Sequence, residues 1–167
     1  GKERPVNALV FAGAVSSSQG KLETSVIVPG AGVYSDIDFC AVTVKKHILN
    51  VNSYADWDVF MHSWNPDLEV RFRRHYAFRA SVFELNAPYE ASLGSKVTDD
   101  VHFGVLSHSL SMAKAAALVL RSERASGKRY DRFLLMRPDL LTFRDLDLTH
   151  LDRSGAAFCN SHGNAGG

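Results

Sequence analysis

Cysteine is scarce. Cys40 and Cys159 are the only two, too few for a disulfide framework, and neither stands in a CxxC or zinc-ligand spacing. They leave the redox compartment open. Long apolar runs are missing as well: nothing in the sequence approaches the ~18 consecutive apolar residues of a membrane span. Gly1 is followed by Lys-Glu-Arg rather than by a signal-peptide core, and no transmembrane segment is expected. Neither sign of charge dominates. A formal net charge of +1 argues against broad electrostatic binding of nucleic acid or of an acidic membrane, so no nucleic-acid partner is expected. The basic residues gather locally instead, as Arg71, Arg73 and Arg74 and as Arg121, Arg124, Lys128, Arg129 and Arg132, a pattern expected of solvated helix faces.

Several catalytic signatures are also absent. The seven histidines show no HxH or HExxH spacing, so a histidine-based zinc site is not expected. There is no GxSxG elbow and no Cys–His signature. The segment Gly13–Lys21 (GAVSSSQGK) follows an apolar run as a phosphate loop would. However, its two glycines lie seven apart where a Walker loop needs five, and Leu22 stands where Ser or Thr would hold magnesium. Ser18 and Lys21 match S-x-x-K without a supporting partner motif.

What is present is a globular composition, 46% hydrophobic and 22% charged, in 167 residues. That length predicts a single domain able to bury a core. The start at Gly1 and the HGNAGG ending suggest a trimmed chain or a fragment. Val6 to Ala12 predicts a first strand closed by Gly13. Ala14 to Asp38 reads as a long Ser/Gly loop, with a short strand over Thr24–Val28, and loops of that length are usually functional or mobile. A helix is predicted over 39–50, with Asp38 as N-cap and Phe39, Val42, Ile48 and Leu49 buried. Then come a polar turn over 50–55, a strand over Trp57–Trp64 and a helix over Asp67–Tyr76 with Leu68 and Phe72 inward. Ala80–Leu85 makes another strand, and Tyr89–Asp100 a connecting loop.

The longest helix is predicted over Val101–Arg124, capped by Asp99 or Asp100 and stopped by Gly127. Val105, Leu106, Leu110, Ala113, Ala117 and Leu120 are its expected buried face. Lys128–Asp139 reads as a fourth long strand buried on both faces and ended by Pro138. Phe143–Leu151 forms a turn, and Ala156–Cys159 begins a further strand. This β-α-β-α-β-α-β order predicts an α/β fold: a mostly parallel central sheet with helices on both faces.

The strongest chemical signal is Arg137-Pro138-Asp139. Open α/β sheets place ligands at the carboxyl ends of their strands, and there the sequence sets a guanidinium and a carboxylate one residue apart. A carboxylate in that position can hold Mg²⁺ or Mn²⁺, and the guanidinium can fork onto phosphate. The plain alternative is a surface ion pair. His62, closing the second long strand, reads either as a structural histidine or as a residue on the same rim. Backbone N–H groups around Gly13 are candidates to touch a nucleotide.

The segments Asn7–Gly13 (NALVFAG), Lys45–Asn50 (KKHILN), Asp58–Trp64 (DVFMHSW) and Tyr130–Leu140 (YDRFLLMRPDL) together resemble GT-A-type glycosyltransferase-like proteins. In that group a Tyr-Asp-hydrophobic-Arg-Pro-Asp strand takes the place of the Asp-x-Asp motif. The resemblance implies a Rossmann-like fold, a nucleotide-sugar donor and Mn²⁺ or Mg²⁺ as cofactor. It puts Asp139 at the metal or diphosphate position and Arg137 in place of the first acid. Ala12, Gly13 and Ala14 would border the nucleoside, and His62 would line the cleft. The group often carries Arg shortly after the first-strand Gly, where Val15 and Ser16 stand here. Only 28 residues follow Asp139 in a chain of 167, whereas the acceptor half normally lies beyond the motif. The resemblance therefore implies a glycosyltransferase or its donor-binding part, with the acceptor, whether glycan, protein or lipid, left open. The alternative is a non-catalytic α/β interaction module of a larger assembly.

Overall fold

The computed structural model describes residues 3–15, 26–28, 32–34, 36–93 and 100–151. The readings at Ser18, Gly20, Lys21 and Ala156–Cys159 lie outside the described residues. The architecture is α/β and Rossmann-like: a four-stranded, all-parallel sheet with helices on both faces.

β1 (Val6–Gly13) is central and buried from Asn7 onward. A two-stranded ribbon, β2 (Val26–Val28) and β3 (Gly32–Tyr34), pairs antiparallel in the stretch predicted as one long loop with a single short strand. α1 (Ile37–Val44) follows, widening into a π-turn over Lys45–Leu49. β4 (Asp56–Ser63), α2 (Glu69–Arg73), β5 (Phe78–Phe83), α3 (Ala87–Leu93), α4 (Asp100–Ser126) and β6 (Arg132–Met136) complete the order. In space the strands run β5-β4-β1-β6.

Residues alternate cleanly between two cores. Leu9 and Phe11 point to a layer holding Ile37, Ala41, Val44 and Ile48 of the first helix with Leu68 and Phe72. Ala8, Val10 and Ala12 point the other way, onto Ala115, Leu118 and Val119 of α4. Strands buried on both faces are what a parallel sheet requires.

Five expectations are corrected. α1 is capped by Asp36, whose side chain accepts from the Asp38 N–H at 2.8 Å, not by Asp38. Its buried face is accordingly Ile37, Cys40, Ala41 and Val44, leaving Phe39 and Val42 exposed. Ala87–Leu93 is helical where a loop was expected. Pro88 falls in the first turn, where a missing N–H costs nothing. α4 turns a different face to the sheet from the one its apolar spacing suggested. Ser107, Ser111, Ala115, Leu118 and Val119 are buried, while Val105, Leu106 and Leu120 are exposed, because the helix lies close enough to the strand ends to need small residues there. Finally, β6 is an edge strand: Phe133 and Leu135, which share the α4 face with Ala8 and Val10, stay exposed.

The stretch Phe103–Ser126 of α4 is, by length and composition, apolar enough to cross a membrane. No single run of the sequence showed this, because serines and Lys114 interrupt it.

The turn after α1 clamps the chain that follows the Arg-Pro-Asp segment. Asn52 is fully buried; its amide donates to the carbonyls of Ile48 (2.7 Å) and Leu146 (2.6 Å), and its oxygen accepts from the Leu148 N–H (2.8 Å). Thr142 N–H donates to Thr43 Oγ1 as well. These bonds hold Thr142, Leu146 and Leu148 against α1 and the turn that follows it.

Candidate functional site at the carboxyl edge

From β1 the chain proceeds through α1 to β4 on one side, and it returns through α4 to β6 on the other. The two helices lie on opposite faces of the sheet. The gap between the carboxyl ends of β1 and β6 is therefore a topological switch point, the place where open α/β sheets form a crevice. Register pairs Phe11 with Met136, so the residues next in line are Ala12, Gly13 and Ala14 on one strand and Arg137 to Asp139 on the other.

Arg137 joins the two. Its Nε and Nη2 donate to the two oxygens of Asp139, both at 3.0 Å, and Nη2 also donates to the Ala14 carbonyl at 2.9 Å. Asp139 is completely buried, whereas the Arg137 side chain is 26% exposed. The exposed member of the pair is the cation.

Gly13 has φ +114°, a backbone region that favours glycine, and a Cβ there would meet His108 Nδ1 at 3.0 Å. His108, one turn before Ser111 on α4, thus caps the β1 end. Nothing in the sequence pattern singled it out. Its pKa is lowered by burial and then by the positive charge of Arg137, with Asp139 acting in opposition. The loop amides are spoken for: Gly13 N–H donates to Ser111 Oγ at 2.7 Å, and Val15 N–H donates to Asn65 Oδ1 at 2.9 Å. A phosphate cradle built on those two amides is not what the chain forms.

His62 sits one strand away, fully buried. Its Nδ1 meets Ser111 Oγ at 2.7 Å and its Nε2 meets Glu84 Oε1 at 3.0 Å. Glu84 also pairs with Lys114, which lies 5.1 Å from the Trp64 ring centre. The result is a polar chain from the Gly13 amide through Ser111, His62 and Glu84 to Lys114, buried at Ser111 and His62 and open to solvent at Glu84 and Lys114. The structure brings Ala12, Gly13, Ala14, Arg137 and Asp139 together; His62 pairs with Ala12 in the sheet register, and its ring reaches the Gly13 amide through Ser111. Glu84 is held below the usual carboxylate range by the His62 hydrogen bond first and Lys114 second.

Burial also lowers the His62 pKa from 6.5, against the pull of Glu84. Both His62 and His108 are therefore easier to protonate in the unfolded chain than in the folded one. The unfolded state binds more protons below pH 6.5, so stability should fall as pH drops through that value and be fully present above it. Urea midpoints measured from about pH 7.5 down to about pH 5.5 should decline steadily. A flat profile would contradict burial of these rings in the neutral form.

As a metal site Asp139 does not fit: both its oxygens already accept from a guanidinium, and among the described residues no group of three His, Cys, Asp or Glu side chains converges. A cavity of about 830 Å³ lies at the opposite edge, under the amino ends of the strands, between Arg4, Asp56, Asp58, Arg79 and Arg129. Its carboxylates have internal work, Asp58 accepting from Tyr130 OH and Asp131 from the Val6 N–H. Compared with protein-family models, curated proteins and solved structures, the chain matches none.

Proposed function

We propose that the edge between β1 and β6 binds a nucleoside-diphosphate sugar, and that the chain is a glycosyltransferase or the donor-binding part of one. One observation carries this reading: a partly exposed arginine, held by a buried carboxylate, stands at the switch point of a parallel sheet beside the glycine that closes the first strand. The resemblance of DVFMHSW and YDRFLLMRPDL to GT-A-type proteins adds the substrate class. In this reading Asp139 is a positioning residue that holds the guanidinium flat, and Arg137 faces the diphosphate, where it would stabilise charge on the departing nucleotide. Arg137 then supplies the cationic role expected of Mn²⁺ or Mg²⁺, and a divalent ion enters only as an accompaniment of the nucleotide.

Calorimetry with UDP- and GDP-sugars, each with and without Mn²⁺, tests the proposal. Heat of binding is expected, with Arg137→Lys weakening it about tenfold because a point charge cannot reproduce the fork. No heat with any nucleotide sugar, metal present or absent, would sink it. The second reading, a non-catalytic interaction module, is favoured by the internal use of the Gly13 and Val15 amides, and silence in the calorimeter would promote it.

A further inference from the structure

The outward face of α4 has no role in the site above. Seen along the helix, Val105, Leu106, Ala113, Ala116 and Leu120 line the side opposite the sheet, and all five are exposed. The stripe from Val105 to Leu120 is about 22 Å long at ~1.5 Å per residue. From Phe103 to Ser122 the sequence contains no acidic residue at all. At the carboxyl end of the same helix stand Arg121 and Arg124, with Arg129 just beyond. All three are exposed, and none has a carboxylate partner among the described residues. The nearby acids are committed: Glu123 accepts from the Tyr130 N–H at 2.9 Å, Asp131 from the Val6 N–H at 2.9 Å, and Glu3 lies 3.8 Å from Lys128.

From this we infer that the outer face of α4 docks in-plane on an anionic lipid surface. Charge decides the occupant. A second copy packed antiparallel would lay its acid-free stretch over the arginines and give them no countercharge, whereas an anionic bilayer supplies both the apolar depth and the countercharge. The opposite face of the helix is fastened to the sheet by Ser107, Ser111, Ala115, Leu118 and Val119, so α4 lies along the membrane and does not cross it. The small overall charge of +1 is no obstacle, because the attraction acts over a Debye length and only the local cluster matters.

Vesicle co-sedimentation of the full chain tests this, with phosphatidylcholine vesicles alone and with phosphatidylglycerol added. Binding to the anionic vesicles should exceed binding to the neutral ones by about tenfold and weaken as salt rises. The pair Arg121→Glu and Arg124→Glu should erase the anionic preference. Leu106→Gln with Leu120→Gln should lower binding to both vesicle types. Both variants change exposed positions only, and unchanged thermal midpoints by circular dichroism would show that they fold. Three results would each overturn the inference: no sedimentation with anionic vesicles, charge reversal without effect, or a dimer in solution that Leu120→Gln dissociates.

Discussion

Ser111→Ala is expected to destabilise the protein by about 2–3 kcal/mol, far more than a single hydroxyl normally contributes. The serine is fully buried, and its one oxygen serves the Gly13 amide and the His62 ring and lies 3.4 Å from the His62 carbonyl, to which it can donate. It accepts from the Gly13 N–H at 2.7 Å and meets His62 Nδ1 at 2.7 Å. Alanine would leave a backbone donor and a ring nitrogen in a dry layer together, and unpaired buried groups cost about 1–3 kcal/mol each. Part of that is recovered by relaxation of the loop after Gly13. For a chain of this size the thermal midpoint should drop by about 5–10 °C. Leu120→Ala, on the exposed side of the same helix, is the control and should shift it little. If Ser111→Ala melts with the wild type, the polar chain from Gly13 to Lys114 is not a structural unit, and the position of His108 over Gly13 needs another cause.

The same serine shows where sequence reasoning stops. Element ends were legible because they are chemically marked: Gly13 closes β1, Gly127 at φ +67° ends α4, and Pro138 halts the run after β6. Apolar strands with no alternation announced a parallel sheet. The faces of the helices were not legible. On α4 Val105, Leu106 and Leu120 form a stripe that points away from the sheet, while Ser107, Ser111 and Ala115 at four-residue spacing, continued by Leu118 and Val119, form the true contact. Close packing selects small side chains, and hydropathy gives them no weight. That i, i+4, i+8 row of small residues was the signal available. Within the site, Arg137 and Asp139 stood out as a charged pair at a strand end. Their mutual fork and the depth of Asp139 could not be seen, since one residue of spacing does not say which oxygen meets which nitrogen. His108 carried no signal of any kind, because its role depends on α4 crossing the end of β1.

Asp139→Asn should cost about 2–3 kcal/mol, less than the ~3–5 kcal/mol of a wholly buried pair because Arg137 is partly in water. The amide keeps one acceptor and turns its other atom into a donor facing a guanidinium. Replacing both residues together, Arg137→Met with Asp139→Leu, should restore most of that loss, since an apolar pair of similar volume needs no compensation for desolvation. The two variants separate architecture from chemistry. If the edge between β1 and β6 takes a nucleoside diphosphate, the double variant should melt close to the wild type yet give no binding heat, while Asp139→Asn should bind weakly and melt early. A double variant that folds and still binds the nucleotide would remove Arg137 from the site. If Asp139→Asn instead melts at the wild-type temperature, the pair is a solvated one, and the buried carboxylate no longer explains why the guanidinium lies across the end of the first strand.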